Sequence, residues 1–110
     1  MMTRQEIKTI VEQAYRLCSE KMPIRTCWLY GSCARDDYDD QSDVDILMTV
    51  DATPEELRPL RRAVAEINSR LSLEHDVTVS ITLKCADSFA RYCEFVPYYQ
   101  NVVREGQRYA

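Results

Sequence analysis

Between residues 43 and 83 the chain contains a strand, a long helix and a second strand in immediate succession, which leaves little topological freedom. Asp-Val-Asp-Ile-Leu-Met-Thr-Val, residues 43–50, reads as a strand. Thr53-Pro54-Glu55-Glu56 is a strong helix start: a capping threonine, proline at the first helical position, and a glutamate three residues past the cap. Leu57, Leu60, Val64, Ile67 and Leu71 then mark one buried face, so this helix is expected to end at about Leu71. His75 to Leu83 alternates, with Val77, Val79, Ile81 and Leu83 on one side and Asp76, Thr78, Ser80 and Thr82 on the other, the pattern of a strand with one polar face. Two strands joined through a helix form a right-handed crossover and lie parallel.

The flanking segments complete one domain over residues 1–110. Thr3 and Glu6 make a capping box, and Ile7, Ile10, Val11, Ala14 and Leu17 recur at helical spacing, predicting a helix over roughly residues 4–20. Arg25 to Tyr30, rich in β-branched and aromatic residues, predicts a short strand that stops at Gly31. Asp87 is expected to cap a short helix reaching Cys93, and Pro97 to open a last helix that Gly106 closes.

Composition removes several functions. With 45% hydrophobic and 29% charged residues, and only two glycines and four prolines, the chain is expected to fold rather than stay disordered. A net charge of -4 offers no footprint for nucleic acid, and Arg58, Arg61 and Arg62 read as a solvated helix face. Five cysteines, an odd number without a C-x-x-C pair, suggest neither a disulfide framework nor a zinc site but reduced thiols in a cytoplasmic protein. No apolar run approaches a membrane span.

Side chains two apart in a strand share a face, so Asp43 and Asp45 become neighbours at the mouth of the core. Two such carboxylates repel and resist desolvation unless a cation joins them, and Mg2+ is the natural hard ion with oxygen ligands. A third carboxylate on the adjacent strand would complete a two-ion site. Asp76 is preferred because it leads the polar face of that strand; Glu74 has the same parity and competes, while His75 faces the other way. Upstream, Gly31-Ser32 follows a strand and precedes a segment, Cys33 to Asp37, able to make a helical turn. Glycine there lets backbone N–H groups approach phosphate oxygens, the serine adds a donor, and Arg35 can reach the same anion in a forked geometry. Cys33 reads as a spacer, Asp36, Asp37, Asp39 and Asp40 as a solvated loop, and Tyr92, Tyr98 and Tyr99 as packing residues. A calcium loop begun at Asp37 or Asp39 lacks the required glycine and glutamate. P-loop, dinucleotide-binding and zinc-hydrolase spacings are absent.

Gly31-Ser32, ten residues, then Asp43-Val44-Asp45 resembles the signature of the nucleotidyltransferase superfamily that shares the polymerase β palm. "GSCARDDYDDQSDVDIL" and the ending "PYYQNVVREGQRYA" are similar to its minimal nucleotidyltransferase branch, so the likeness covers nearly the whole chain. It implies an α+β fold with a small mixed β-sheet and helices packed on one face. It further implies Asp43, Asp45 and Asp76 as catalytic residues and ligands of two Mg2+ ions, with Gly31 and Ser32 holding the triphosphate. One residue departs: relatives commonly carry glycine after the Ala-Arg pair, where this chain has Asp36. The implied reaction moves a nucleoside monophosphate, AMP from ATP, to a hydroxyl. Relatives of this size often act as antitoxins that adenylylate a tyrosine of a HEPN-type helical toxin. Two other readings stand beside it: an antitoxin that neutralises its partner by binding alone, and transfer to a small molecule such as an aminoglycoside, for which an acceptor-binding domain is missing. A homodimer is compatible with all three.

Overall fold

The first helix begins where its cap demands: in the computed structural model, which describes residues 2–110, α1 spans Arg4–Ser19 and the Thr3 hydroxyl accepts from the Glu6 amide at 3.1 Å. There follow β1 (Ile24–Tyr30), α2 (Ser32–Arg35), β2 (Val44–Val50), α3 (Pro54–His75), β3 (Val79–Cys85), α4 (Ala86–Tyr92), α5 (Pro97–Glu105) and β4 (Gln107–Arg108). The sheet order is β3-β2-β1-β4. β2 and β3 are parallel across the α3 crossover, whereas β1 pairs antiparallel with both β2 and β4, so the sheet is mixed and the fold is α+β, as expected.

Alternation decides which side of the sheet is dry. Cys27 and Leu29 of β1, Ile46, Met48 and Val50 of β2, and Val79, Ile81 and Leu83 of β3 are buried. Against them pack Ile7, Ile10, Val11 and Ala14 of α1 and Leu57, Val64, Ile67 and Leu71 of α3. Each such aliphatic side chain contributes about 1.5–3 kcal/mol on leaving water, and this layer holds the strands at fixed height and register. The opposite face is built differently. Leu47 is fully buried yet stands outside the main core cluster. The α5 residue Tyr98 packs edge-on against Tyr30 of β1, ring centroids 5.6 Å apart, and donates to the Tyr30 hydroxyl at 2.8 Å. α5 thus roofs part of the second face.

The outer edge of β3 is capped from α3. The Ser72 hydroxyl accepts the Val79 amide and the Asn68 side-chain oxygen accepts the Ile81 amide, each at 2.9 Å. Among the described residues no helix is long and apolar enough to cross a membrane. All five cysteines are free thiols.

Two boundaries differ from the sequence reading. α3 continues to His75, one turn past Leu71, and is closed by Asp76 in the left-handed conformation (φ 52°, ψ 47°), whose amide bonds the Ser72 carbonyl. Val77 also donates to Ser72 O and packs against the core from outside the strand, which is why the apolar alternation in sequence begins two residues before β3 does. α4 begins at Ala86 with Cys85 as its cap, placing Asp87 inside the first turn, where a carboxylate complements the helix dipole.

Candidate active site

β1 ends at Tyr30 and the chain turns through Gly31 at φ 77°, ψ -158°, a combination open only to glycine. A side chain there is excluded for a second reason: a Cβ on Gly31 would lie 2.8 Å from Asp45 Oδ2. The turn therefore lies directly against the β2 carboxylate. Ser32–Arg35 then makes one helical turn, in which the Ala34 and Arg35 amides both bond the Gly31 carbonyl. A helical start leaves its first amides without intrahelical partners, so the Ser32 end of this turn is the end suited to an anion.

Four contacts that sequence reasoning missed fix the turn in place. Arg4 of α1 donates to the Cys33 carbonyl at 2.7 Å and pairs with Asp36 at 3.6 Å. Gln107 of β4 donates to the Ala34 carbonyl at 3.0 Å. Cys33, expected to be a spacer, is fully buried, and its thiol donates to the Asp43 carbonyl at 3.3 Å, joining the turn to the start of β2. Burial, then the Asp45 charge, push that thiol up to about 11, so it stays a neutral donor. Arg4 and Gln107 lie 29 and 73 residues from their partners in sequence, and no local pattern pairs them.

Asp36 closes the turn in the left-handed region, φ 69°, ψ 22°. The position where the resemblance led to an expectation of glycine is thus one that favours glycine, and aspartate is among the few other residues that tolerate it.

Asp43 immediately precedes β2 and Asp45 is its second residue. Asp45 is half-buried, and desolvation first, then the neighbouring Asp43 charge, hold its carboxyl above the usual carboxylate range. Its cross-strand partners are Tyr30 on β1 and Ser80 on β3, side by side on one face. Arg35, expected to grip phosphate, instead extends to Asp37 and Glu105, both at 3.4 Å and both solvated. Contacts of this kind contribute little and exchange readily.

The structure corrects the expected strand placement of the third carboxylate. Asp76 is not on β3; it is the α3 cap and lines an open depression of about 810 Å³ together with Glu6, Asp40, Gln41 and Thr78, to which neither Asp45 nor Gly31 contributes. Glu74 lies in α3, within 3.7 Å of His75. Among the described residues no three carboxylate, histidine or cysteine side chains converge as a metal would need. Gly31, Asp43 and Asp45 come together, with Ser32 on the same turn, and Asp76 forms no metal-holding cluster with the two aspartates.

Two carboxylates suit a single Mg2+, which is commonly held by one or two carboxylates, waters and substrate phosphates. The donor set fits one ion arriving with a nucleotide; it does not fit a protein-built pair of ions.

The polymerase beta nucleotidyltransferase family matches residues 12–93. A "Putative protein adenylyltransferase MJ0141" of Methanocaldococcus jannaschii is 42% identical over 52 residues, 47% of this chain and 50% of that protein, so the chain spans about half the length of this curated relative. Among solved structures, a "putative minimal nucleotidyltransferase" superposes with a TM-score of 0.64 at 23% identity, covering 96% of this chain and 95% of the other. A crystal structure of a toxin-antitoxin with AMP-PNP superposes at 0.60 and 20% identity, covering 88% of this chain and 69% of that one. At these identities the superpositions speak for the fold, while the family match, spanning most of the chain, speaks for descent. The chain belongs to the polymerase beta nucleotidyltransferase family.

Proposed function

We propose that this domain transfers AMP from ATP to a hydroxyl group, a tyrosine of a HEPN-type helical toxin, and so acts as an antitoxin. The observation that carries the reading is the seating of the Gly31 turn against Asp45, with Asp43 beside it. A phosphate-binding turn and an anionic metal-binding pair then face one small volume. The relative named for protein adenylylation and the toxin-antitoxin structure holding AMP-PNP point the same way.

In this reading the Ser32 end of the turn donates to the triphosphate, and Gly31 lets the backbone come close enough to do so. Asp43 and Asp45 hold one Mg2+, whose chemistry is to neutralise the phosphate charge during displacement. Arg35 exchanges its solvated carboxylate partners for a phosphate oxygen. The acceptor oxygen attacks the α-phosphorus as the bond to the β-phosphate oxygen breaks, pyrophosphate leaves, and the hydroxyl proton passes to water. Alignment of the two reactants by the turn and the strand supplies the acceleration.

The test is to incubate the chain with α-labelled ATP, Mg2+ and the purified toxin encoded beside it. Label should move to a toxin tyrosine, and Asp43→Asn or Asp45→Asn should reduce transfer at least about a hundredfold. Equal transfer by either variant would refute the assignment. A second reading, neutralisation by binding alone, draws support from the serine that faces Asp45 in place of a carboxylate. It predicts full protection of cells by the doubly substituted chain.

A further inference from the structure

We propose that Ser80 limits this site to a single divalent cation: it occupies the position directly opposite Asp45 from which β3 could supply a carboxylate. The inference rests on the reading of Asp43 and Asp45 as the nucleotide's metal ligands.

The parallel register pairs Val44 with Val79, Asp45 with Ser80 and Ile46 with Ile81. Paired residues of adjacent parallel strands point to the same face, and adjacent strands lie about 4.8 Å apart. A carboxylate at position 80 would thus stand close enough to Asp45 for both to share or flank a cation. Position 82, next along that face, is a threonine paired with Leu47, and Tyr30, across β1, spends its hydroxyl on Tyr98. The cross-strand partners of Asp45 are therefore neutral hydroxyls, which are weak ligands for Mg2+ beside carboxylates. Glu74 and Asp76 belong to α3 and its cap, not to this face. Ser80 is only half-buried, so a larger side chain there meets solvent rather than the packed core.

The consequence concerns the acceptor. A site with two cations 3.5–4 Å apart activates both the attacking and the leaving oxygen, whereas a site with one serves the triphosphate alone. The acceptor hydroxyl then relies on alignment, and its partner must present it accurately.

Mn2+ binding, followed by electron paramagnetic resonance and calorimetry with saturating α,β-methylene-ATP, tests this without turnover. The wild type and Ser80→Ala should each bind one Mn2+ per nucleotide-loaded chain, and Ser80→Asp should bind two. Ser80→Asp should also unfold at lower temperature without metal and recover more on adding Mn2+ than the wild type does. Two Mn2+ in the wild type, or one in a Ser80→Asp chain with native circular dichroism, would overturn the proposal while leaving the nucleotide reading intact. Failure of the analogue to bind the wild type at all would overturn both.

Discussion

Replacing Gly31 with alanine separates two costs that the structure imposes at one atom. The backbone cost comes from φ 77°, ψ -158°, a region essentially closed to residues with a Cβ, which is of order 1–3 kcal/mol. The contact cost comes from the Cβ at 2.8 Å from Asp45 Oδ2. That oxygen terminates a short side chain at the solvated edge of the site, so it can rotate away at little cost in stability. The movement displaces the carboxylate from the place where, in the proposed function, it would serve the nucleotide. Stability should thus fall by about 1–3 kcal/mol, and for a 110-residue chain, with an unfolding entropy near 2.1 cal/mol/K per residue, Tm should fall by about 4–13 °C. Metal-dependent nucleotide affinity should fall more than tenfold, above ~1.4 kcal/mol. Urea unfolding of Gly31→Ala, Asp45→Ala and the double variant apportions the two. The backbone cost should persist in the Asp45→Ala background to within about 0.5 kcal/mol, since the strain does not depend on the contact. A Gly31→Ala chain within about 0.5 kcal/mol of wild type and with undiminished nucleotide affinity would refute the account of this turn.

Asp45→Asn should stabilise the metal-free protein at neutral pH, by up to ~1 kcal/mol for relief of a half-solvated like-charge contact. Because the folded state raises the Asp45 pKa, it binds that proton more tightly than the unfolded chain does. The wild type is therefore penalised above the folded pKa, and the variant's advantage should shrink as the pH falls toward the ordinary value of 3.8; thermal melts across pH check it. Burial raises the thiols of Cys18, Cys27 and Cys33 to about 11, 12 and 11, whereas Cys93 is partly exposed, so a thiol reagent at pH 8 should label Cys93 fast and the rest only on unfolding, as mass spectrometry would show. Thr53→Ala removes one half of a complete capping box and should cost about 1 kcal/mol in chemical denaturation.

The parts of this fold legible in sequence are those encoded by local chemistry. The capping box at Thr53 and Glu56, the one-sided stripe from Leu57 to Leu71 and the alternation from Val79 to Leu83 each specify an element, and together they require the parallel crossover that is observed. The Gly31 turn was legible because a glycine at the end of a strand is a common turn signal, and its link to the site only through the Asp43-Val44-Asp45 that follows. The helix end was not. Leu71 is the last buried apolar residue of α3, but Ser72 to His75 continue the helix with polar side chains and an exposed Leu73, and hydrophobic spacing carries no information about such a last turn. That one extra turn moved Asp76 off the strand on which the third carboxylate was expected. Register was equally hidden: only the ladder shows that the neighbour of Asp45 is Ser80. The supports from Arg4 and Gln107 depend on tertiary proximity alone.

The two side chains that α3 lends to the rim of β3 have a bearing on assembly. With the Val79 and Ile81 amides already engaged by Ser72 and Asn68, two of the donors that an incoming extended peptide would need at the start of β3 are taken. Any strand that lengthens the sheet at that stretch must first prise those donors from the helix. The start of the strand is thereby made a poorer template for the strand-to-strand stacking that begins many aggregates.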